Sequence, residues 1–387
     1  MVRTGCDILS DDSCSILDGK RTALLANPAS VSSRLEHTAD IIISNGVKLV
    51  SIFGPQHGYR GDTQANMIEW DGYIHPKWRI PVISLYGKNR NPEASDLDDL
   101  DVVVIDLPDV GARTYTYMWT SVLMMRACAE RDIDVVVLDR PNPIGGATVE
   151  GPLIEEKYIS FVGLYPLPMR HGLTMAEALR MINDRSAEPC KLEIVQMEGW
   201  ERIMRFEETG LAWIQPSPNM PSPSTSAVYP GTVMLEGANI SEGRGTTKPF
   251  EMLGAPWIEP FSFAEELGDR HLAGAIFRPV YFTPTWDKYG GELCGGVQIH
   301  VTDMEAFSPV RCGATILAIA AGKYPEHFRW LDPPYEYEYD LLPIDIISGG
   351  PALRETVESG GDIEELFGSW EKDELRFSAE RMPYLLY

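Results

Sequence analysis

Long apolar runs are missing from this chain: nothing approaches the ~18 residues that a membrane-spanning helix needs. Positive charge is also scarce. Lys and Arg number 33 against 57 Asp and Glu, a net charge of −24. So acidic a surface repels phosphate backbones and anionic bilayers, so neither nucleic acid nor a membrane is expected as partner. An anionic small ligand held by a few local arginines stays possible on these grounds.

Cysteine is sparse and unpatterned. Cys6, Cys14, Cys128, Cys190, Cys294 and Cys312 form no CxxC pair and gather no histidines. Reduced, mostly buried thiols are expected, and no metal site. The N-terminal MVRTGCDILSDD lacks the apolar core of a secretory leader. A cytoplasmic location is therefore expected for the chain as given, periplasmic or secreted if a leader has been removed. No GxGxxG follows the first strand signal, and GxxxxGK[ST], GxSxG and HExxH do not occur. Dinucleotide binding, P-loop chemistry, serine hydrolysis and zinc proteolysis lose their usual signatures, and no cofactor is expected.

What is present is a series of Val/Ile/Leu runs. RTALLANPA (21–29), VKLVSIFGPQHG (47–58), IPVISLYG (80–87), DVVVIDLPDVGAR (101–113), DVVVLDRPNPIGG (134–146) and KLEIVQMEGW (191–200) read as strands. They do not alternate with polar residues, which marks strands buried on both faces of a parallel sheet. Helical stretches such as 117–131 and 174–183 lie between them, the second opening with Thr174 and Glu177 at capping-box spacing. The expected architecture is a Rossmann-like, doubly wound parallel sheet with a second, smaller α/β or α+β domain. A length of 387 residues exceeds one core, and the Pro/Ser-rich 214–230 offers the boundary. Domains of 1–226 and 227–387 are expected.

Ligands of such sheets bind beyond the carboxyl ends of the strands. There the chain places Asn27, then Gln56 and His57 with Glu69 behind them, then Asp106, Asp109 and Arg113, then Asp139 and Asn142. Arg113 precedes an aromatic run of Tyr115, Tyr117 and Trp119. Further candidates are Glu150, the Arg170–His171 pair, Asn219, and Glu242 and Arg244 in a Gly-rich stretch. Carboxylates, arginines and aromatics around one cleft suit acid/base work on a carbohydrate. One pocket joining Asn27, His57, Arg113 and Asn142 with Glu242 or Arg244 is the expectation.

Several motifs carry a resemblance. GPQHGYRGDTQ, SLYG, DLPDVGARTYTY, LDRPNPIGG with VEGP, PMRHGLTMAE, PSPNMP and YPGTVMLEGANISEGRGTTKPFEMLGAPW together resemble the NamZ-type exo-β-N-acetylmuramidases, from about residue 20 to the C-terminus. The resemblance implies a cleft between two domains and release of N-acetylmuramic acid from non-reducing ends of peptidoglycan chains or fragments. It also implies a glycan substrate and an arginine for the lactyl carboxylate, with Arg113, Arg170 and Arg244 as candidates. Many members carry Glu where this chain has Gln56, and Gln cannot donate the proton that a general acid must. Glu69 is the first candidate replacement, followed by Glu150 and Glu242. The alternative is a catalytically altered or silent sugar-binding protein of the same fold.

Overall fold

The structure, a computed structural model, describes residues 1–87 and 90–387. Seven strands form one sheet: β1 (Arg21–Ala26), β2 (Lys48–Gly54), β3 (Tyr73–Ile74), β4 (Pro81–Ser84), β5 (Val102–Asp106), β6 (Asp134–Leu138) and β7 (Leu192–Val195). Their order is β3-β4-β2-β1-β5-β6-β7, with β3 an antiparallel edge and the other six parallel. The chain runs outward from β1 to β4, then restarts at β5 and runs the other way. The switch point is therefore between β1 and β5.

The unbroken apolar runs follow from the two covered faces. Leu24, Ala26, Ile52, Val104 and Val136 pack toward Cys6, Leu9, Ile41 and Ile42 of helices α1 (Gly5–Asp11) and α2 (Thr38–Ser44). Their neighbours Ala23, Leu25, Phe53, Val103 and Val135 pack the other way, with α3 (Tyr117–Ala129) and α4 (Met175–Asp184). The predicted capping box opens α4: the Glu177 amide donates to Thr174 Oγ1, and the Thr174 amide to Glu177 Oε2 at 3.0 Å.

The second domain holds a three-stranded antiparallel sheet, β8 (Met252–Ala255), β9 (Ala275–Phe282) and β10 (Cys294–Val301), in the order β8-β10-β9. Helices α5 (Pro223–Thr232), α6 (Pro260–Asp269), α7 (Pro309–Lys323), α8 (Pro343–Ser348), α9 (Ala352–Ser359) and α10 (Ile363–Glu380) complete it. The division expected at 226/227 falls within α5. This helix crosses α7 through glycine: a Cβ on Gly231 would stand 1.8 Å from the Pro309 carbonyl oxygen, and one on Gly313 2.2 Å from the Gly231 carbonyl oxygen. The Pro/Ser-rich segment before α5 is tied down. Asn27 Nδ2 and Tyr117 OH donate to the Pro216 carbonyl at 2.9 and 2.7 Å, and Asn219 Nδ2 to the Gln64 carbonyl at 3.0 Å.

All six cysteines are buried and unbonded. Among the described residues no group of three or more His, Cys, Asp or Glu is placed to hold a metal ion, and no helix is long and apolar enough to cross a membrane.

Candidate active site

Two crevices open along the carboxyl edge of the large sheet. The first lies at the β1/β5 switch point and is mostly apolar, walled by Pro108, Pro141, Phe206, Leu211 and Trp213. Its charged groups serve one another. Arg140 holds buried Asp106 through Nε and through Nη2 at 2.8 Å, and Asp109 Oδ2 lies 3.2 Å from His171 Nε2.

The second crevice lies toward β2, between the two domains, and is polar. Gln56, His57, Asn66 and Asn219 reach it from one side; Tyr229, Glu236, Arg244, Tyr335 and Glu336 from the other. Gln56 is its hub. Gln56 Nε2 lies 3.0 Å from Glu336 Oε1 and 3.2 Å from Asn66 Oδ1, and Asn66 Nδ2 donates to Glu236 Oε2 at 3.1 Å. An amide chain thus links two carboxyl groups, both buried.

Their surroundings differ. Glu236 is ringed by donors: Arg244 Nη2 at 2.7 Å, Tyr335 OH at 2.8 Å and Asn66. Glu336, 4% exposed, receives Tyr86 OH at 2.9 Å. Burial, with the nearby Glu236 charge added, pushes its pKa up to about 7 despite the Tyr86 and Gln56 hydrogen bonds and Arg90. Carboxyl groups in environments this different divide acid and base roles. A raised pKa does not identify the acid by itself, because burial pushes Asp139 and Glu150 to about 7 as well. Asp139 accepts from Thr174 Oγ1, Tyr387 OH and two backbone amides. Glu150 accepts from the Arg311 amide at 3.0 Å. Of the three, Glu336 is the one in this crevice.

His57 sits at φ +67°, in the left-handed region, in the turn after β2. Its Nδ1 lies 2.8 Å from the Thr63 carbonyl oxygen, which makes Nδ1 the donor and Nε2 an acceptor. Burial lowers its pKa to about 4, so the ring is neutral at pH 7. Tyr117, Tyr115, Tyr229 and Phe250 form, in that order, an aromatic wall with successive ring centroids 4.7, 6.0 and 4.8 Å apart. The cation beside it is Arg244, 5.2 Å from the Phe250 ring.

Several expected residues lie elsewhere. Arg113 is fully buried and spends its guanidinium on the Val162 and Ile347 carbonyls at 3.2 and 2.6 Å, with its pKa lowered to about 9 by burial. Asn27 and Asn142 hold turns: Asn27 Oδ1 accepts from the Ala29 amide, and Asn142 Oδ1 from the Ile144 amide. Arg170 donates to the Ile144 carbonyl, and His171 Nδ1 accepts from the Leu173 amide. Glu69 is exposed and lies against Gly87 at the rim. Glu242 sits behind the pocket, bound by Arg244 at 3.1 Å and Lys288 at 3.0 Å; these two charges outweigh burial and lower its pKa. The expected convergence thus holds for His57 and Arg244, and not for Asn27, Arg113 or Asn142. The sequence singles out neither Glu336 nor Asn66, whereas Glu236 belongs to the Gly-rich stretch that carries Glu242 and Arg244. The signal was the alternation of Tyr and Glu in YEYEY (335–339).

Comparison with known families decides the lineage. Residues 22–224 match the N-terminal model, and 227–387 the C-terminal model, of the exo-beta-N-acetylmuramidase NamZ family. The chain belongs to this family. A curated NamZ relative, the peptidoglycan beta-N-acetylmuramidase of Bacillus subtilis (strain 168), is 43% identical over all of this chain and 91% of its own length. Two crystal structures of DUF1343 family proteins from Bacteroides fragilis NCTC 9343 share the fold. One has a TM-score of 0.90 at 36% identity, the other 0.77 at 29%, and each alignment covers 100% of this chain and 99% of the other. Within the NamZ fold, the polar crevice is thus built jointly by the segments that the two family models match.

Proposed function

We propose that this chain is an exo-acting β-N-acetylmuramidase that releases N-acetylmuramic acid from the non-reducing ends of peptidoglycan chains or fragments, with Glu336 as general acid. The carrying observation is the buried Glu336–Gln56–Asn66–Glu236 chain. Glu336 keeps its proton near neutral pH and gives it to the glycosidic oxygen as the C1–O bond breaks. Glu236 serves as the second carboxylate, either taking the proton of the attacking water or attacking C1 itself; the anomer released distinguishes the two. His57 Nε2 accepts a substrate hydroxyl, and Gln56 and Asn219 contribute further hydrogen bonds. Arg244 is assigned the lactyl carboxylate, since it lines the pocket and its Nη1 is buried with no partner among the described residues. Glu69, Glu150 and Glu242 have no role in proton transfer. With this assignment goes the division at 226/227, which puts Gln56, His57 and Asn66 in one domain and both carboxylates in the other.

The pocket has about 30 Å³ of open space, enough for a water molecule and too little for a pyranose. A sugar ring therefore needs more room than the crevice has as it stands, and the Tyr335–Glu338 turn, which carries Glu336, forms one of its walls. The alternative of a silent sugar-binding protein rested on Gln56, and Glu336 beside it supplies the missing acid. The test is incubation with a chromogenic β-glycoside of N-acetylmuramic acid. Release of the chromophore by the parent and its loss in Glu236→Gln are expected; no release at enzyme concentrations that turn over the B. subtilis relative's substrate sinks the proposal.

A further inference from the structure

The orientation of the Gln56 amide follows from the charge at the far end of its hydrogen-bond chain. Glu236 is paired with the Arg244 guanidinium at 2.7 Å, so its oxygens have only lone pairs to offer. Asn66 must therefore turn Nδ2 toward Glu236, which leaves Oδ1 facing Gln56. That oxygen accepts, so Gln56 turns its amide nitrogen toward it, and the second N–H reaches Glu336 Oε1 at 3.0 Å. Gln56 Oε1 is then left on the opposite side of a buried amide, in need of a donor. The Thr116 hydroxyl is that donor, and no other group among the described residues bonds this oxygen. From this order, and resting on the role assigned to Glu336 above, we propose that Thr116 is a positioning residue for the general acid: its hydroxyl holds the Gln56 amide with its N–H groups toward Glu336.

The placement of Thr116 gives independent support. It directly precedes α3, where a threonine hydroxyl ordinarily bonds the first free amides of the helix. It makes no such cap bond and reaches instead across the crevice wall to Gln56, 60 positions earlier in the chain. Burial raises the pKa of Glu336, and the Gln56 hydrogen bond is among the contacts that lower it again. The titratable groups facing Glu336 are Tyr86, Arg90, Glu236, Tyr229, Tyr335 and Tyr337, and none of them hydrogen-bonds the Thr116 side chain. The hold of Thr116 on the acid therefore passes through Gln56. Without the hydroxyl, the amide either swings its N–H away from Glu336 or flips and offers Oε1 to it. The first removes a donor from the ionised form, and the second gives the protonated form an acceptor. Both make Glu336 keep its proton to higher pH.

Thr116→Val keeps the shape of the side chain and removes the donor. The substrate for the test is the β-1,4 disaccharide of N-acetylmuramic acid and N-acetylglucosamine. The high-pH limb of kcat/KM, at about pH 7 in the parent, is expected to move up by ~0.5–1 pH unit in Thr116→Val and to return in Thr116→Ser, which keeps a hydroxyl. A limb that stays within about 0.2 pH unit of the parent's overturns the proposal, even if the rate falls, because a merely structural role lowers the rate without moving the limb. Denaturant unfolding gives a readout independent of turnover. The stability gap between Glu336→Gln and its parent grows with pH and levels off once Glu336 is ionised. In the Thr116→Val background the levelling is expected at a pH higher by the same amount; levelling at an unchanged pH overturns the proposal. A parent without activity on the disaccharide, combined with displaced levelling, refutes the muramidase assignment and leaves the hold of Thr116 on Gln56 standing. Thr116→Ala repeats both measurements if Thr116→Val does not fold.

Discussion

The loops after β1, β5 and β6 bury Asn27, Asp106, Asp109, Asp139, Arg140 and Asn142. The loop after β2 buries Gln56 and His57, which meet Glu236 and Glu336 from the second domain. Both regions lie on the carboxyl edge of one sheet, and both are dense in buried polar groups. They differ in where the hydrogen bonds end. Around Asp106 and Asp139 the bonds come mainly from the sheet's own domain, from Arg140, Thr38, Thr174 and the Ala176 amide, with Tyr387 OH joining from the C-terminus. Around Gln56 the bonds cross between domains and converge on a carboxyl group with a raised pKa beside an open groove. A high density of buried polar residues is thus compatible with pure architecture. The site is marked by hydrogen bonds that cross between domains onto a carboxyl group bordering open space.

The strongest way to break this contrast is to remove the acid. Glu336→Gln should lower kcat/KM on the disaccharide by ~10²–10⁴-fold, and much less on an activated aryl glycoside that needs little protonation. In the parent, activity should decline as pH rises through about 7, where Glu336 loses its proton; an unchanged high-pH limb in Glu336→Gln assigns the acid to another group. The matching change on the architectural side is Asp106→Ala, which strands Arg140 in the interior. Denaturant unfolding should show a loss of ~3–5 kcal/mol. Well below its melting temperature, the variant should keep the parent's pH profile; a shifted profile would draw Asp106 into the chemistry.

A third test uses stability alone. The folded-state pKa of Glu336 lies above its unfolded value, so folding favours the protonated form. Its contribution is present in full below the ordinary carboxylate range and is lost as pH rises to about 7. Glu336→Gln carries no such penalty. Measured at pH 8 rather than pH 5, its stability relative to the parent should improve, by up to ~3 kcal/mol from the pKa difference. A pH-independent difference would mean that the carboxyl group is not perturbed. The smallest effect is expected at the rim: Glu69→Gln should change kcat/KM less than twofold on either substrate, because Glu69 is exposed and outside the pocket.

Those expectations also mark what the sequence could convey. The sheet and α4 were readable because their causes are local: apolar runs, and a Thr and a Glu three residues apart. His57 and Arg244 were readable because turns built on unusual backbone geometry carry them. Glu336 was not, since its meaning comes from Gln56, 280 positions earlier in the chain. Arg113 misled for a related reason. An arginine before an aromatic run resembles a ligand contact until the carbonyls of Val162 and Ile347, 49 and 234 positions away, claim its guanidinium.

The glycine crossing of α5 and α7 bears on recombination among relatives. With 1.8 Å between a Cβ on Gly231 and the Pro309 carbonyl oxygen, even alanine would force the helices apart. Gly231 follows Tyr229 of the aromatic wall by two residues and precedes Glu236 by five, so spreading the crossing would open the pocket's floor. A chimera exchanging halves at 226/227 would inherit α5 from two parents and α7 from one. Both glycines then come from the C-terminal parent and the crossing is kept whatever the parents' overall identity, whereas hybrids joined between 231 and 313 should fail where one parent brings a side chain at either position.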